Sequence, residues 1–301
     1  MKKGLFLISL IVAILILLAG CQPGTTIVIA NTVAGSTRAP SATHSSQVIT
    51  NPSPLDNAVE PSCTNPTAAL AQECAAMEQQ ILAATVRLEL FHGANGGRGH
   101  GTIVAGRYLI THNHYPISAA ALANGEESGV TAVSVFKANG DVILQEAPLS
   151  FFTVAAVYPQ ILVLDFGEYG GVGFFDSVGV PSAEFKAWES LPLQPGMEVA
   201  QVDWDGSTAF VKWVHIDDIV TVDGIPALEL ASFVTQGASG GGIFWKGYHI
   251  ANNWSRATEL SQDSETIIRQ YSVAALDTLP PTLTSQMSHS YSLASIEVVT
   301  P

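Results

Sequence analysis

Ser239 stands between glycines in Gly237-Ala238-Ser239-Gly240-Gly241, a setting that suits a hydroxyl whose task is to attack a carbonyl. Glycines permit the tight backbone that lets a substrate approach and that aims N–H groups at a developing oxyanion. A serine in a Gly-rich turn is also common as plain structure, so the motif gains its weight from a second one. At the end of the apolar run 102–110 comes Thr111-His112-Asn113-His114, its last residue 125 positions before Ser239. An imidazole within reach of a hydroxyl takes its proton and hands it on to a leaving group. Histidine first and serine second is one of the chain orders in which such a pair occurs. The chemistry would be acyl transfer. His112 and His114 would share a face of a strand, which also admits a pair of metal ligands. No Asp, Glu or third His follows at ligand spacing, so neither a metal nor any other cofactor is expected.

These residues resemble a known family. Gly99-His100-Gly101-Thr102-Ile103-Val104, followed by Leu109-Ile110-Thr111-His112-Asn113-His114, resembles the corresponding segment of trypsin-like serine proteases, especially bacterial HtrA-type ones. Gln236-Gly237-Ala238-Ser239-Gly240-Gly241 resembles their serine elbow. Gly247-Tyr248-His249-Ile250-Ala251-Asn252-Asn253 is similar to the strand that follows the elbow and lines the substrate cleft. The resemblance covers residues 84–276. It implies Ser239 as nucleophile, His114 rather than His112 as base, and an oxyanion hole at the N–H groups of Gly237 and Ser239. Gln236, Asn252 and Asn253 are implied to line the substrate. Ala238 replaces the Asp that pairs with a freed N-terminus in cleavage-activated relatives, so activation by cleavage is not expected.

The third triad position departs from the family. Its aspartate-led strand corresponds here to Gln160-Ile161-Leu162-Val163-Leu164, with Gln160 where the aspartate belongs. A glutamine carbonyl can orient the ring but carries no charge for the imidazolium. Asp165 would point to the opposite face of that strand, and Asp141 reads as a turn residue after Asn139-Gly140. Phe233, six residues before Ser239, matches the base of the primary pocket. An apolar residue there gives Lys or Arg no partner, so small or apolar side chains are the expected preference.

The elements that position these groups read as strands. Short Val/Ile/Thr/Phe runs punctuated by Gly, Asn and Asp occur at 84–91, 101–110, 130–136, 142–146, 161–166, 198–204, 209–214, 228–231, 242–245, 249–253 and 268–273. Many short strands at this spacing mean an all-β fold, and the resemblance implies two six-stranded antiparallel barrels with the site in the cleft between them. Pro181 to Gly196 separates the halves. A short helix is expected over 67–81 behind Pro66. The domain order is a leader at 1–20, a disordered tether at 21–61, a helical lead-in at 62–83, the protease-like domain at 84–280 and a flexible tail at 281–301.

Of 301 residues, 47% are hydrophobic and 13% charged, enough apolar material for a real core. The net charge of −14 argues against nucleic acid and anionic lipid as partners. Lys2 and Lys3 followed by an apolar stretch read as an export signal, too short for a membrane span of about 20 residues. It ends in Leu18-Ala19-Gly20-Cys21, which resembles the bacterial lipobox, implying lipidation of Cys21 and an extracytoplasmic protein anchored to a bacterial membrane. Cys63 and Cys74, the two other cysteines, are expected to form a disulfide in that oxidising setting. Two cysteines without a His pair do not make a zinc site. The leading function is a membrane-tethered serine endopeptidase acting on peptides or proteins. The second is a protease-fold lipoprotein with a degraded triad that binds peptides or partner proteins. The third is a β-rich lipoprotein whose motifs are accidental.

Overall fold

Pro66 and Thr67 start a helix, the Thr67 hydroxyl accepting from the Leu70 N–H at 3.3 Å. The computed structural model describes residues 27–29, 62–92, 95–113, 132–158, 160–260 and 267–288. Within them the helix, α1, runs over Ala68–Ala84, one turn past its expected end. The extra turn is favoured by burial, since Ile81 and Ala84 are sealed off, and Ile81 joins Ala200, Val202, Ala209 and Phe244 in one apolar cluster. Cys63 and Cys74 are bonded with their Cα atoms 5.7 Å apart, closing a short loop whose chain-entropy effect is about 3 kcal/mol. Glu198 receives the Cys63 N–H at 2.6 Å, the Ser62 hydroxyl at 2.7 Å and the Thr64 N–H at 2.8 Å. The lead-in is thereby fastened to the domain rather than hanging from it.

The remainder is β. One sheet contains β2 (Thr85–His92), β3 (Asn95–Val104), β4 (Tyr108–Thr111), β5 (Ala132–Lys137), β6 (Val142–Ala147), β7 (Thr153–Val157) and β8 (Leu162–Asp165), in the order β6-β5-β2-β3-β4-β8-β7. The other contains β10 (Glu198–Trp204), β11 (Ala209–Val222), β12 (Ile225–Leu230), β13 (Gly242–Trp245), β14 (Tyr248–Leu260) and β15 (Ile267–Leu276). Since β14 pairs with both β13 and β15, this sheet closes into a six-stranded barrel. The first sheet is an open path of seven strands among the described residues, one more than expected. Two short strands, β1 (Ile27–Ile29) and β9 (Glu184–Phe185), add to β14 in parallel. β1 falls in the stretch expected to be a structureless tether.

Two other expectations are corrected. The run 101–110 is two strands, because Ala105 and Gly106 take positive φ (51° and 69°) and turn the chain back, the geometry of a tight hairpin. Part of the expected flexible tail, Pro281–Ser288, is a helix. Leu283 and Met287, one turn apart, are buried there, and the Tyr108 hydroxyl donates to Gln286 Oε1 at 2.8 Å. With Ile110, Val163, Phe185 and Ala275, those two side chains form a cluster fed by both sheets. Among the described residues no helix is long and apolar enough to cross a membrane. Cys21 lies outside them.

Candidate active site

The elbow is assembled from β13's entry loop, with bonds to β3 and β14. Gly237 and Gly240 have φ of 100° and 78°, values that an L side chain rarely adopts. The Gly240 N–H donates to the Asn253 carbonyl at 2.9 Å, and the Asn253 N–H returns to Gly241 at 2.8 Å. The Ala238 carbonyl accepts from the Gly241 N–H at 2.9 Å and from Asn253 Nδ2 at 3.2 Å. In a trans peptide the N–H points opposite to the C=O, so tying back the Ala238 carbonyl turns the Ser239 N–H the other way. The Ser239 carbonyl is taken by the His100 N–H at 2.8 Å, which clamps the elbow to β3. Ser239 itself is half-buried.

Gly240 shows how close the two sheets come. A Cβ there would lie 2.5 Å from Thr111 Oγ1 and 2.9 Å from His112 Cδ2, and would collide with the His100 carbonyl. The β4 end of the first sheet therefore abuts the serine elbow of the second. His112 is 2% exposed, packed beneath the elbow. His114 lies outside the described residues. Its neighbour Asn113 donates Nδ2 to the Tyr158 carbonyl at 2.5 Å, two residues before Gln160. Tyr158 and Ile161 close a tight turn on each other, with N···O distances of 2.8 and 3.3 Å. Gln160 sits in that turn, half-buried. It lines a cavity of about 280 Å³ with Ile161, Ile225, Leu276 and one carboxylate, Asp223.

The other carboxylates considered are engaged elsewhere. Asp165 is held by Arg107, whose Nε lies 2.7 Å from Oδ1, and Asp141 is exposed and accepts from Asn139 Nδ2 at 2.9 Å in the hairpin turn. His249 and Asp277 form an ion-pair contact at 2.8 Å, with side-chain exposures of 0% and 1%. So deep a pair cannot meet substrate; it fastens β14 to the chain leaving β15.

Asn252 and Asn253 do not line a cleft: both are buried. Asn252 donates to Asp277 at 2.7 Å, and Asn253 donates to the Val202 carbonyl at 2.6 Å while accepting from Gln201 at 2.8 Å. They are the internal scaffold of the elbow. His100 is 2% exposed, its ring tilted against that of Trp204 with centroids 5.0 Å apart. Its Nδ1 lies 2.9 Å from the Gly237 carbonyl, so Nδ1 carries the proton and donates. Phe233 is half-buried, and its ring centre lies 5.2 Å from the Arg256 guanidinium, a contact that a sequence cannot show. Gln236 is exposed at the elbow's rim. Among the described residues no cluster of three His, Cys, Asp or Glu is placed to hold a metal ion.

Burial pushes the His100 pKa down to about 4, partly offset by its bond to Gly237. Unfolded, the ring protonates near 6.5. Between those values the unfolded chain holds more protons, so stability should fall as pH drops from about 6.5 towards 4. For Glu198, burial alone would raise the pKa, but the bonds from Thr64, Ser62 and Cys63 outweigh it and hold the carboxyl low. Its stabilisation, present at neutral pH, is lost as pH falls through and below the ordinary carboxylate range. Urea midpoints measured from pH 7 to 4 should decline throughout, and His100→Gln should flatten the upper part of that decline. A flat profile in the native protein would contradict this.

No protein-family model matches the chain, and no curated protein matches it. Solved structures do resemble it. An HtrA-type protease, AlgW with tripeptide, is 15% identical over 71% of this chain, with a TM-score of 0.48. The chain spans 63% of that protein's length. The Rv3671c protease from M. tuberculosis in its active form is 15% identical over 74% of this chain and 88% of its own, with a TM-score of 0.45. Deg5 is 15% identical over 64% of this chain and 88% of its own, with a TM-score of 0.47. What the site can do follows from this chain's own residues.

Proposed function

We propose that the protein is a serine endopeptidase of extracytoplasmic location, tethered to a membrane through a lipid at Cys21. The observation that carries the reading is the elbow: Ser239 between two positive-φ glycines, its flanking carbonyls tied back by Gly241 and His100. In this reading Ser239 Oγ attacks the scissile carbonyl as His114 takes its proton, and the N–H groups of Gly237 and Ser239 hold the oxyanion. His114 then protonates the leaving amine, and water, deprotonated by the same ring, releases the acyl group. Gln160 orients the ring without supplying charge. Full-length protein in detergent should release peptides from denatured casein, and EDTA should leave the rate unchanged. No release, or release abolished by EDTA, would refute the reading.

Gln160 is also the observation that favours a second reading, a protein of the same fold that binds peptides or partner proteins with little turnover. For the anchor, intact-mass analysis of membrane-derived protein should show residues 1–20 missing and acyl chains on Cys21. Two or three such chains, at about 0.8 kcal/mol per buried CH₂, suffice for stable attachment. Finding Met1, or extraction without detergent, would exclude it.

A further inference from the structure

Acidic residues outnumber basic ones 26 to 12 in this chain, so an arginine without a carboxylate partner is conspicuous. Arg87 and Arg98 reach Glu89 at 3.5 and 3.0 Å, Arg107 pairs with Asp165, and Arg269 reaches Asp217 and Glu229 at 2.7 and 2.9 Å. Among the described residues Arg256 alone has no such partner. Its guanidinium lies 5.2 Å from the centre of the Phe233 ring, half-buried on β14.

The two residues that meet there belong to the two chain segments bracketing the elbow. Phe233 is in the loop that leads into Ser239, six residues before it. Arg256 is three residues beyond Asn253, whose backbone bonds to both Gly240 and Gly241. At about 3.3 Å per strand residue, Arg256 is roughly 10 Å along β14 from the serine's neighbour, and its own long side chain folds back over the ring. Stacking occupies the face of a guanidinium and leaves the N–H donors on its edge unused. Those donors match the two oxygens of a carboxylate. The other cation nearby does not compete: Lys212, 3.4 Å from the Phe233 carbonyl, is paired with the buried Asp203.

We propose that Arg256 is a specificity determinant that selects an acidic side chain, Glu or Asp, on the acyl side of the scissile bond. The inference rests on the reading of Ser239 as nucleophile, and it replaces the small or apolar preference inferred from Phe233 alone. Phe233 packs against the methylenes of the substrate side chain while Arg256 binds its carboxylate.

Binding separates this inference from catalysis. Full-length Ser239→Ala protein in detergent is titrated with Ac-Ala-Ala-Ala-Glu and with Ac-Ala-Ala-Ala-Ala, which share a terminal carboxylate and differ only in the last side chain. The glutamyl peptide should bind about tenfold tighter or better, and Arg256→Gln should erase the difference while circular dichroism stays unchanged. Equal affinities, or no binding of either peptide, would overturn the inference. With Ser239 intact, cleavage should fall after Glu and Asp, and Arg256→Glu should move it to Lys and Arg. Cleavage after apolar residues would overturn Arg256's role while leaving the endopeptidase reading in place.

Discussion

Alanine at His114 should reduce peptide hydrolysis by about 10²-fold, as should alanine at Ser239, because a site lacking the third carboxylate starts about 10⁴ below a complete triad that is worth about 10⁶ in all, while alanine at His112 leaves it within about tenfold of the native rate. The first figure follows from how serine–histidine pairs behave as a unit: losing either member removes the proton transfer that both need. The contrast with His112 follows from burial. His112 is 2% exposed with its ring against Gly240, so its loss leaves a hole beneath the elbow, costing about 1–3 kcal/mol of stability but no chemistry. Asn113 is bonded to Tyr158, two residues before Gln160. Initial rates on a peptide substrate, with a melting curve for each variant, check this. An inactive His112→Ala protein beside an active His114→Ala protein would mean that the base has been assigned to the wrong histidine.

The second large effect is a gain. Gln160→Asp should raise the turnover rate by at least about tenfold. In the proposed mechanism a neutral amide leaves the imidazolium at His114 without a counter-ion, and the converse change, carboxylate to amide, costs about 10⁴ in the well-studied triad. Gln160 lies in the tight Tyr158–Ile161 turn and lines a cavity about 280 Å³ in volume, so the shorter aspartate has room. Asp223 lines the same cavity and supplies the competing account. If Asp223 already provides the charge, Gln160→Asp does nothing and Asp223→Asn abolishes turnover. Measuring kcat for both variants separates the two.

The parts of this site that depend on short-range chemistry are visible in the residues alone. Gly237, Gly240 and Ser239 announce an elbow because side chains rarely adopt those φ values, and β10 and β13 have the bounds expected of their apolar runs. What escaped depends on contacts between distant segments. Ala105 turns the chain at φ 51° although alanine is not a turn residue, because Gly106 and the strands on either side enforce it. Asn252 and Asn253 look like cleft residues until the bonds to Asp277, Val202 and Gln201 place them inside. His100 gives no sign of burial until Gly237 and Trp204 close over it. Arg256 is one polar residue in a strand, and its meaning comes from Phe233, 23 positions earlier. The helix over Pro281–Ser288 was obscured by a Ser/Thr-rich composition, although Leu283 and Met287 have helical spacing.

The most direct test of an activated serine is covalent. The full-length protein in detergent is treated with a fluorophosphonate and digested, and the adduct is located by mass spectrometry. A single adduct on Ser239, absent from the Ser239→Ala protein and strongly reduced in His114→Ala, is the expected result. No adduct under conditions that modify a reference serine protease, or an adduct on any other serine, would contradict the account.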